Sequence, residues 1–320
     1  VGTSSGTWTC QVTAFDGTDY STVASAQIVI DADWAGAISF TNCGQAGQNG
    51  PSQSQCDAEY SSTDLAGLVT VSSGYQTWTV PSDGIYFVEV AGAKGGGSSY
   101  GVVLSGQINL SAGEVLTLLI GQSGASGSGD GGGGGSFIVN SINDPLIIAG
   151  GAAGGSVNLK ADASTGTCGK LGDGSNPGAG GCNGLGGAGA VSTGNSGGGG
   201  LYSNGTIGTY SSTPGVAFLN GGTGGNGSSG NSAGWGGFGS GGGGNDGGHS
   251  GGGGGYSGGG GSGNGGSGSG GGGGSFVSSA FSVLATSDGQ YDSSSTFQGQ
   301  TIQNLNQLNS SNGYVIIDKL

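Results

Sequence analysis

The chain has 320 residues, 86 of them glycine, and its 18 acidic side chains against four lysines give a formal net charge of −14. This balance disfavours nucleic acid and anionic membranes as partners, because both are bound through clusters of Lys and Arg. The apolar runs are far shorter than the roughly 20 residues that cross a bilayer, so the sequence predicts no membrane span.

Two further features predict secretion. Methionine is absent and the chain starts at Val1, as expected of a processed product that has lost a secretion signal. Five cysteines in a chain rich in Ser, Thr and Asn are typical of an oxidising compartment. We therefore expect an extracellular protein.

The first region, residues 1–33, is predicted to hold two strands, at 7–13 and 25–30, joined by a turn at Asp16-Gly17-Thr18-Asp19. An isolated hairpin is marginal in water, so we expect this region to need partner strands from elsewhere. The strand that it could donate to another chain consists of Ser25, Ala26, Gln27, Ile28, Val29 and Ile30.

The second region, residues 34–320, is predicted to form one all-β domain, a sandwich or barrel, because short strand-like stretches alternate with turn signals. No window has the 3.6-residue period of an amphipathic helix, so no helix is predicted. The expected strands are Ala37–Thr41, Gly67–Ser72, Gln76–Val80, Ile85–Ala91, Tyr100–Asn109, Val115–Gly121, Ser136–Asn140, Leu146–Ala149, Ser275–Leu284 and 313–318.

Glycine-rich insertions at about 122–135 and 151–274 interrupt this domain, and residues 221–274 alone contain 34 glycines. A flexible linker is the simplest interpretation, whereas collagen is excluded because glycine does not recur at every third position with proline. A third interpretation is a bundle of polyglycine II helices, held by bonds between neighbouring backbones.

Two features of the sequence favour the ordered bundle. The string GGGGGSF occurs at 131–137 and again at 270–276, each time before strand-like residues, which predicts a repeated transition from glycine segment to strand. The glycine-rich block also contains Trp235, Phe238 and Tyr256, which a solvated linker seldom includes.

Several motifs together resemble the glycine-rich domain family, known from the extracellular regions of the anaplastic lymphoma and leukocyte receptor tyrosine kinases and from secreted bacterial proteins. They are Ile38-Ser39-Phe40-Thr41-Asn42-Cys43-Gly44, Gln76-Thr77-Trp78-Thr79-Val80-Pro81, Ala91-Gly92-Ala93-Lys94-Gly95-Gly96 and the GGGGGSF strings. The resemblance implies a tumour-necrosis-factor-like (jelly-roll) β-sandwich with an inserted polyglycine II helix bundle. No kinase or transmembrane span accompanies these motifs, so receptor signalling does not carry over.

Residues 7–30 separately resemble the last strands of an immunoglobulin-like module of secreted bacterial proteins, on Trp8, Cys10 and the turn that begins at Asp16. This likeness makes the first region either an immunoglobulin-like remnant or a donor strand.

The cysteines are paired in order along the chain, Cys43 with Cys56 and Cys168 with Cys182, and Cys10 is left over. Zinc is disfavoured because the sequence has no CxxC pair and one histidine.

No catalytic residue or cofactor is predicted. His249 lies alone among glycines and is expected to be a solvated loop residue, whereas nucleophilic catalysis needs a positioned base. The nearest to a metal site is a weak calcium candidate at Asp16 and Asp19. Candidate glycosylation sites are Asn109, Asn204, Asn226 and Asn309, each in an Asn-x-Ser/Thr sequon.

Three functional hypotheses follow. The preferred one is the structural subunit of an extracellular fibre, which binds copies of itself head-to-tail through the N-terminal strands. The alternative is an adhesin or receptor-like module that binds a cell-surface glycan or protein through the loops around Trp235, Phe238 and Tyr256. An enzyme is disfavoured, and so is an ice-binding protein, because the glycine-rich block shows no regular Thr or Ala spacing.

Overall fold

The computed structural model describes residues 6–15, 17–30, 36–127, 129–155, 160–191, 195–209, 212–228, 234–245, 247–264, 268–287, 296–297, 300–301, 303–304 and 309–320. These residues form two compact units, the first ending at Ala37 and the second beginning at Ile38. Within the described ranges, no helix has the length and apolar character needed to cross a bilayer.

The first unit is a two-stranded antiparallel ribbon. Strand β1 (Gly6–Val12) pairs with β2 (Ala24–Ile30) over their whole length, from Gly6 opposite Ile30 to Val12 opposite Ala24. Beyond the strands, the rings of Phe15 and Tyr20 lie 4.7 Å apart between centroids. The two strands predicted in this region are therefore present and pair with each other.

The second unit is built from β-strands. In chain order they are β3 (Ile38–Phe40), β4 (Val69–Ser72), β5 (Tyr75–Thr79), β6 (Gly84–Ala91), β7 (Val103–Leu110), β8 (Val115–Leu119), β9 (Ser136–Val139), β10 (Pro145–Ala149), β11 (Phe276–Val277), β12 (Ser282–Ser287), β13 (Thr296–Phe297), β14 (Gln300–Thr301), β15 (Gln303–Asn304) and β16 (Tyr314–Lys319). Those at 296–297, 300–301 and 303–304 were not predicted, and the others overlap predicted strands. The stretch predicted as one strand at Ser275–Leu284 is two strands, because a turn closes where the N–H of Phe281 donates to the oxygen of Ser278.

Among the described residues, twelve of these strands form two six-stranded sheets, in the orders β11-β10-β9-β8-β5-β4 and β15-β12-β7-β6-β16-β3, and β13 pairs with β14 apart from them. The hairpin pairs β4–β5, β6–β7, β8–β9 and β9–β10 are antiparallel, whereas β12 and β15 run parallel. Buried side chains join the two sheets: the ring of Phe40 on β3 meets that of Trp78 on β5 edge-on, with centroids 6.1 Å apart. The all-β prediction is confirmed.

The prediction that the chain has no helix is wrong in the described ranges, where α1 spans Gln53–Tyr60 and a short 3-10 helix spans Phe218–Asn220. A capping box starts α1: the Gln55 N–H donates to Ser52 Oγ, and the Ser52 N–H donates to Gln55 Oε1. Two turns of mostly polar residues cannot show an apolar period, so the Ser-x-x-Gln spacing was the usable signal. The helix buries Cys56 and Tyr60.

The glycine-rich segments form neither α-helices nor strands over most of their length, and their backbone bonds run to other segments. Gly131 and Gly134 donate to the oxygens of Ala125 and Gln122, both at 2.9 Å. The same two glycines accept from Gly96 and Ala93, at 2.8 and 2.9 Å. Bonds to a given neighbour thus recur at every third residue.

The segment 130–135 lies at the centre of such contacts. Among the described residues it bonds to six neighbouring segments, around 93–96, 122–125, 152, 237–239, 242 and 251–254. A Cβ atom on Gly132 would overlap the carbonyl oxygen of Gly252, so glycine is required by close approach of backbones. This part of the glycine-rich block is therefore packed and buried.

Candidate assembly site and its scaffold

Two serines fasten the glycine-rich block to the sheets. Ser136 Oγ accepts from the Gly121 N–H at 3.0 Å and donates to the Ala91 oxygen at 2.6 Å. Ser275 Oγ accepts from the Gly150 N–H at 3.0 Å and donates to the oxygen of Ser164 at 2.7 Å. Both serines belong to GGGGGSF strings, and strands β9 and β11 begin at or directly after them, as the repeat predicted.

Aromatic side chains form a second anchor. Phe238 from the glycine-rich block is fully buried in a cluster with Leu119, Phe137 and Phe218. Tyr256 packs against this cluster and stacks on Phe276, with ring centroids 4.7 Å apart. The expectation that these aromatic residues form an exposed recognition surface is therefore wrong for Phe238: apolar burial draws it into the core.

The loop closed by the first disulfide forms a third anchor. Within this loop, the Gly47 and Gln48 oxygens accept from the N–H groups of Phe238 and Gly224, at 2.7 and 2.9 Å. The side chain of Gln48 also donates to Asn226 Oδ1 at 2.7 Å. In the described residues, the two disulfides join Cys43 to Cys56 and Cys168 to Cys182, the pairs expected from their order.

The candidate assembly segment, Ser25 to Ile30, lies in β2. Its backbone pairs on one side with β1, so the ribbon has an edge on each outer side that no strand of the first unit covers in the described ranges. The described side chains of the ribbon are exposed, including Val12 at 60% and Tyr20 at 74% of their surface. A two-stranded ribbon with exposed apolar side chains buries too little to be stable alone.

One edge of the sandwich is closed by a side chain. Gln53 on α1 donates from Nε2 to the Val69 oxygen at 2.9 Å, and its Oε1 accepts from the Val71 N–H at 2.6 Å. This amide thereby imitates a paired strand along β4 and blocks further pairing. In the second sheet, β3 is an edge strand: within the described part of the chain it has β16 as its only strand neighbour.

The remaining candidate sites meet different outcomes. Asp16 lies outside the described residues, so the calcium candidate that it forms with Asp19 stays a prediction; the described ranges contain no group of three or more His, Cys, Asp or Glu side chains that could hold a metal ion. His249 is only 7% exposed and pairs with Asn245 across a backbone bridge, so its predicted solvation is wrong. Dense packing of the glycine-rich block around it is the reason. Cys10 lies on β1 opposite Ala26.

The four sequons differ in their surroundings. Asn109 is exposed on β7, whereas Asn309 is buried and donates its Nδ2 to the Gly92 oxygen at 2.7 Å and to the Asn312 oxygen at 2.8 Å. Asn204 and Asn226 are exposed, but both accept hydrogen bonds at Oδ1. The fold therefore leaves Asn109, Asn204 and Asn226 exposed and makes Asn309 a structural residue.

Comparison with known proteins gives a partial similarity. No protein-family model matches the chain. A stretch of 97 residues is 36% identical to the leukocyte tyrosine kinase receptor of Mus musculus. This stretch covers 27% of the present chain and 11% of the receptor. The similarity fits the resemblance to glycine-rich receptor regions, and with the disulfides it fits an extracellular protein. The immunoglobulin-like likeness of residues 7–30 stays a prediction.

Proposed function

We propose that this protein is the structural subunit of an extracellular fibre, without catalytic activity, and that its N-terminal ribbon binds the next copy head-to-tail. The observation that carries the proposal is the ribbon itself, a separate unit whose described side chains are exposed. A strand from one copy added to a sheet edge of the next satisfies backbone groups of both. Because the donating and accepting surfaces differ, each added copy leaves a free acceptor or donor, and a filament grows when the rotation between copies does not close a ring.

The edge best suited to accept the ribbon is that of β3. Gln53 covers β4 at one end of the first sheet, while β3 at the end of the second sheet is paired on one side by β16. We propose the pairing of β2 from one copy with β3 of the next as the fibre contact.

Proline substitutions in the donor strand test this contact. Ala26→Pro/Gln27→Pro removes two successive N–H groups from β2, so both edges of the strand lose a donor. We expect fibres of the wild-type chain in electron micrographs and monomers of the variant, while Thr22→Pro in the connecting loop assembles normally. Fibres of the double variant with unchanged morphology would show that this strand does not mediate assembly.

We also propose that the glycine-rich segments are polyglycine II helices, which have three residues per turn and a rise of ~3.1 Å per residue. Support comes from the bonds that recur at every third residue and from the six neighbours of segment 130–135 in the described part of the chain. The tumour-necrosis-factor-like jelly-roll topology implied by the family resemblance stays a prediction.

Amide hydrogen exchange tests the bundle. If it is ordered, the amides of Gly251–Gly254 should exchange as slowly as those of β6 and β7, because they are buried and bonded. Rapid exchange there would indicate a linker and contradict the helices.

The alternative function, an adhesin or receptor-like module for a cell-surface glycan or protein, is supported by the similarity to a receptor. It predicts that the purified chain stays monomeric in size-exclusion chromatography and binds cells. A monomeric wild-type chain would favour this alternative over the fibre.

A further inference from the structure

Three neighbouring glycine-rich segments, 177–182, 184–191 and 203–209, lie side by side at the surface of the block. The Ala188 N–H donates to the Ala179 oxygen at 2.8 Å, which joins the first segment to the second. The Thr206 N–H donates to the Gly187 oxygen at 2.9 Å, which joins the second to the third.

These segments form a flat layer because of what lies beneath them. Segment 177–182 bonds to 258–261, and segment 203–209 bonds to 196–199, where the Gly197 N–H donates to the Thr206 oxygen. The middle segment bonds to both of the segments beneath, to 258–261 through Gly258 and Gly261 and to 196–199 through Gly198. Where segments pack at regular spacing, three rows over two adjacent rows lie in one plane. We call this plane the flat face.

Side chains on the flat face follow the three-residue repeat. Leu185, Ala188 and Val191 are spaced by three along the middle segment, and Leu185 and Val191 are exposed at 52% and 83%. Ile207 on the third segment is 61% exposed. The hydroxyls of the third segment point sideways instead, since Thr206 Oγ1 accepts from the Gly189 N–H at 2.9 Å. Asn204, Thr206 and Thr209 on the third segment are also exposed, so the face carries aliphatic side chains among uncharged polar ones.

The flat face also has no charge, in a chain whose formal net charge is −14. Between Asp173 and Asp246 the sequence contains no Asp, Glu, Lys or Arg. The acidic side chains lie elsewhere on the chain, and acid opposite acid repels when two copies approach. Through the flat face they meet without that repulsion and can bury the exposed aliphatic side chains.

We propose that the flat face is a self-association surface, on which the same face of a second copy packs about a two-fold axis. Identical faces have identical spacing between segments and an identical three-residue repeat, so a two-fold contact can bring the exposed aliphatic side chains of both copies together. This contact is independent of the head-to-tail contact and would join filaments side by side.

Charge substitutions on the full-length chain test the proposal. Leu185→Asp/Ile207→Asp places two carboxylates on the face, and Ile142→Asp is the matched control, because Ile142 is 73% exposed in the β9–β10 turn. All of these variants also carry Ala26→Pro/Gln27→Pro, and the chain with these two substitutions alone is the parent. Association is measured by sedimentation over a range of concentrations. We expect dimers of the parent and the control, and at least a tenfold weaker dimer for the face variant.

Slow exchange of the Gly258 and Gly261 amides in the face variant confirms that the block is still folded. A parent that stays monomeric at every concentration, or a face variant that dimerises like the parent, overturns the proposal. The proposal is also overturned if the parent is monomeric and binds ice or a neutral polysaccharide, and the face variant loses that binding. The ligand of the flat face is then the ice or polysaccharide and not a second copy. Failure of the head-to-tail contact is seen separately, as fibres that survive the proline substitutions.

Discussion

Ser275 repeats, at the second GGGGGSF string, the pair of hydrogen bonds that Ser136 makes at the first. Each hydroxyl accepts from the N–H of a glycine just beyond a strand, Gly121 or Gly150, and donates to a carbonyl of another segment. Both serines are buried, so these bonds are shielded from water. The repeated string therefore encodes the point where a glycine-rich segment becomes a strand.

Ser136→Ala should lower the free energy of unfolding by about 1–3 kcal/mol, because it leaves a buried N–H and a buried carbonyl without their partner. Ser275→Ala should have an effect of the same size. Urea titration measures both, with the exposed Ser141→Ala as control. Effects no larger than that of the control would mean that the serines are not anchors.

Glycine is required where backbones touch, so Gly253→Ala should be strongly destabilising. Its Cβ would overlap the oxygen of Gly151, and the cost of overpacking is about 1–3 kcal/mol or more. Gly166→Ala is the control, since its Cβ meets only Ser164 Oγ at an ordinary 3.4 Å. Thermal unfolding compares the two, and equal stability of both variants would contradict the close packing.

Loss of the first disulfide should loosen the glycine-rich block as well as the loop. Cys43→Ala/Cys56→Ala removes a loop constraint of about 3 kcal/mol in the chain-entropy model. It should also speed amide exchange at Gly224 and Phe238, which donate to Gln48 and Gly47 inside the loop. Cys168→Ala/Cys182→Ala is the comparison, and it should leave these two amides slow.

Stability should fall above pH 10 because of two tyrosines. Burial raises the pKa of Tyr75 well above its ordinary value, and burial together with the charge of Glu89 does the same for the pKa of Tyr314. Above about pH 10 the unfolded chain loses these phenol protons while the folded chain keeps them, so alkali favours unfolding. Below about pH 10, the contribution of these two tyrosines to the free energy of unfolding is fully present.

Tyr75→Phe/Tyr314→Phe should therefore show a shallower decline of unfolding free energy between about pH 10 and 12. Tyr202→Phe, at an exposed tyrosine, is the control and should follow the wild type. An unchanged slope in the double variant would contradict the shifted pKa values.

Much of the sheet structure could be predicted because strand patterns are local. The alternation in Ile85–Ala91 and the turn before it place β6 within a residue of its observed start, and the ribbon of the first unit follows from two such stretches. Helix α1 was missed because two polar turns carry no period. The burial of His249 and Phe238 was also missed, since neighbours that are distant in sequence enclose them.

The sequence by itself determined the strands, the order of the disulfides and the two points where glycine segments enter strands, since each depends on side chains within a short window. Only the tertiary structure decided which glycine segments lie side by side and hence where the flat face is. One glycine is chemically identical to the next, so no side chain specifies the neighbour of a segment. The neighbours are set by anchors at the segment ends, such as Phe238 and Ser275, and by backbone bonds to residues far along the chain.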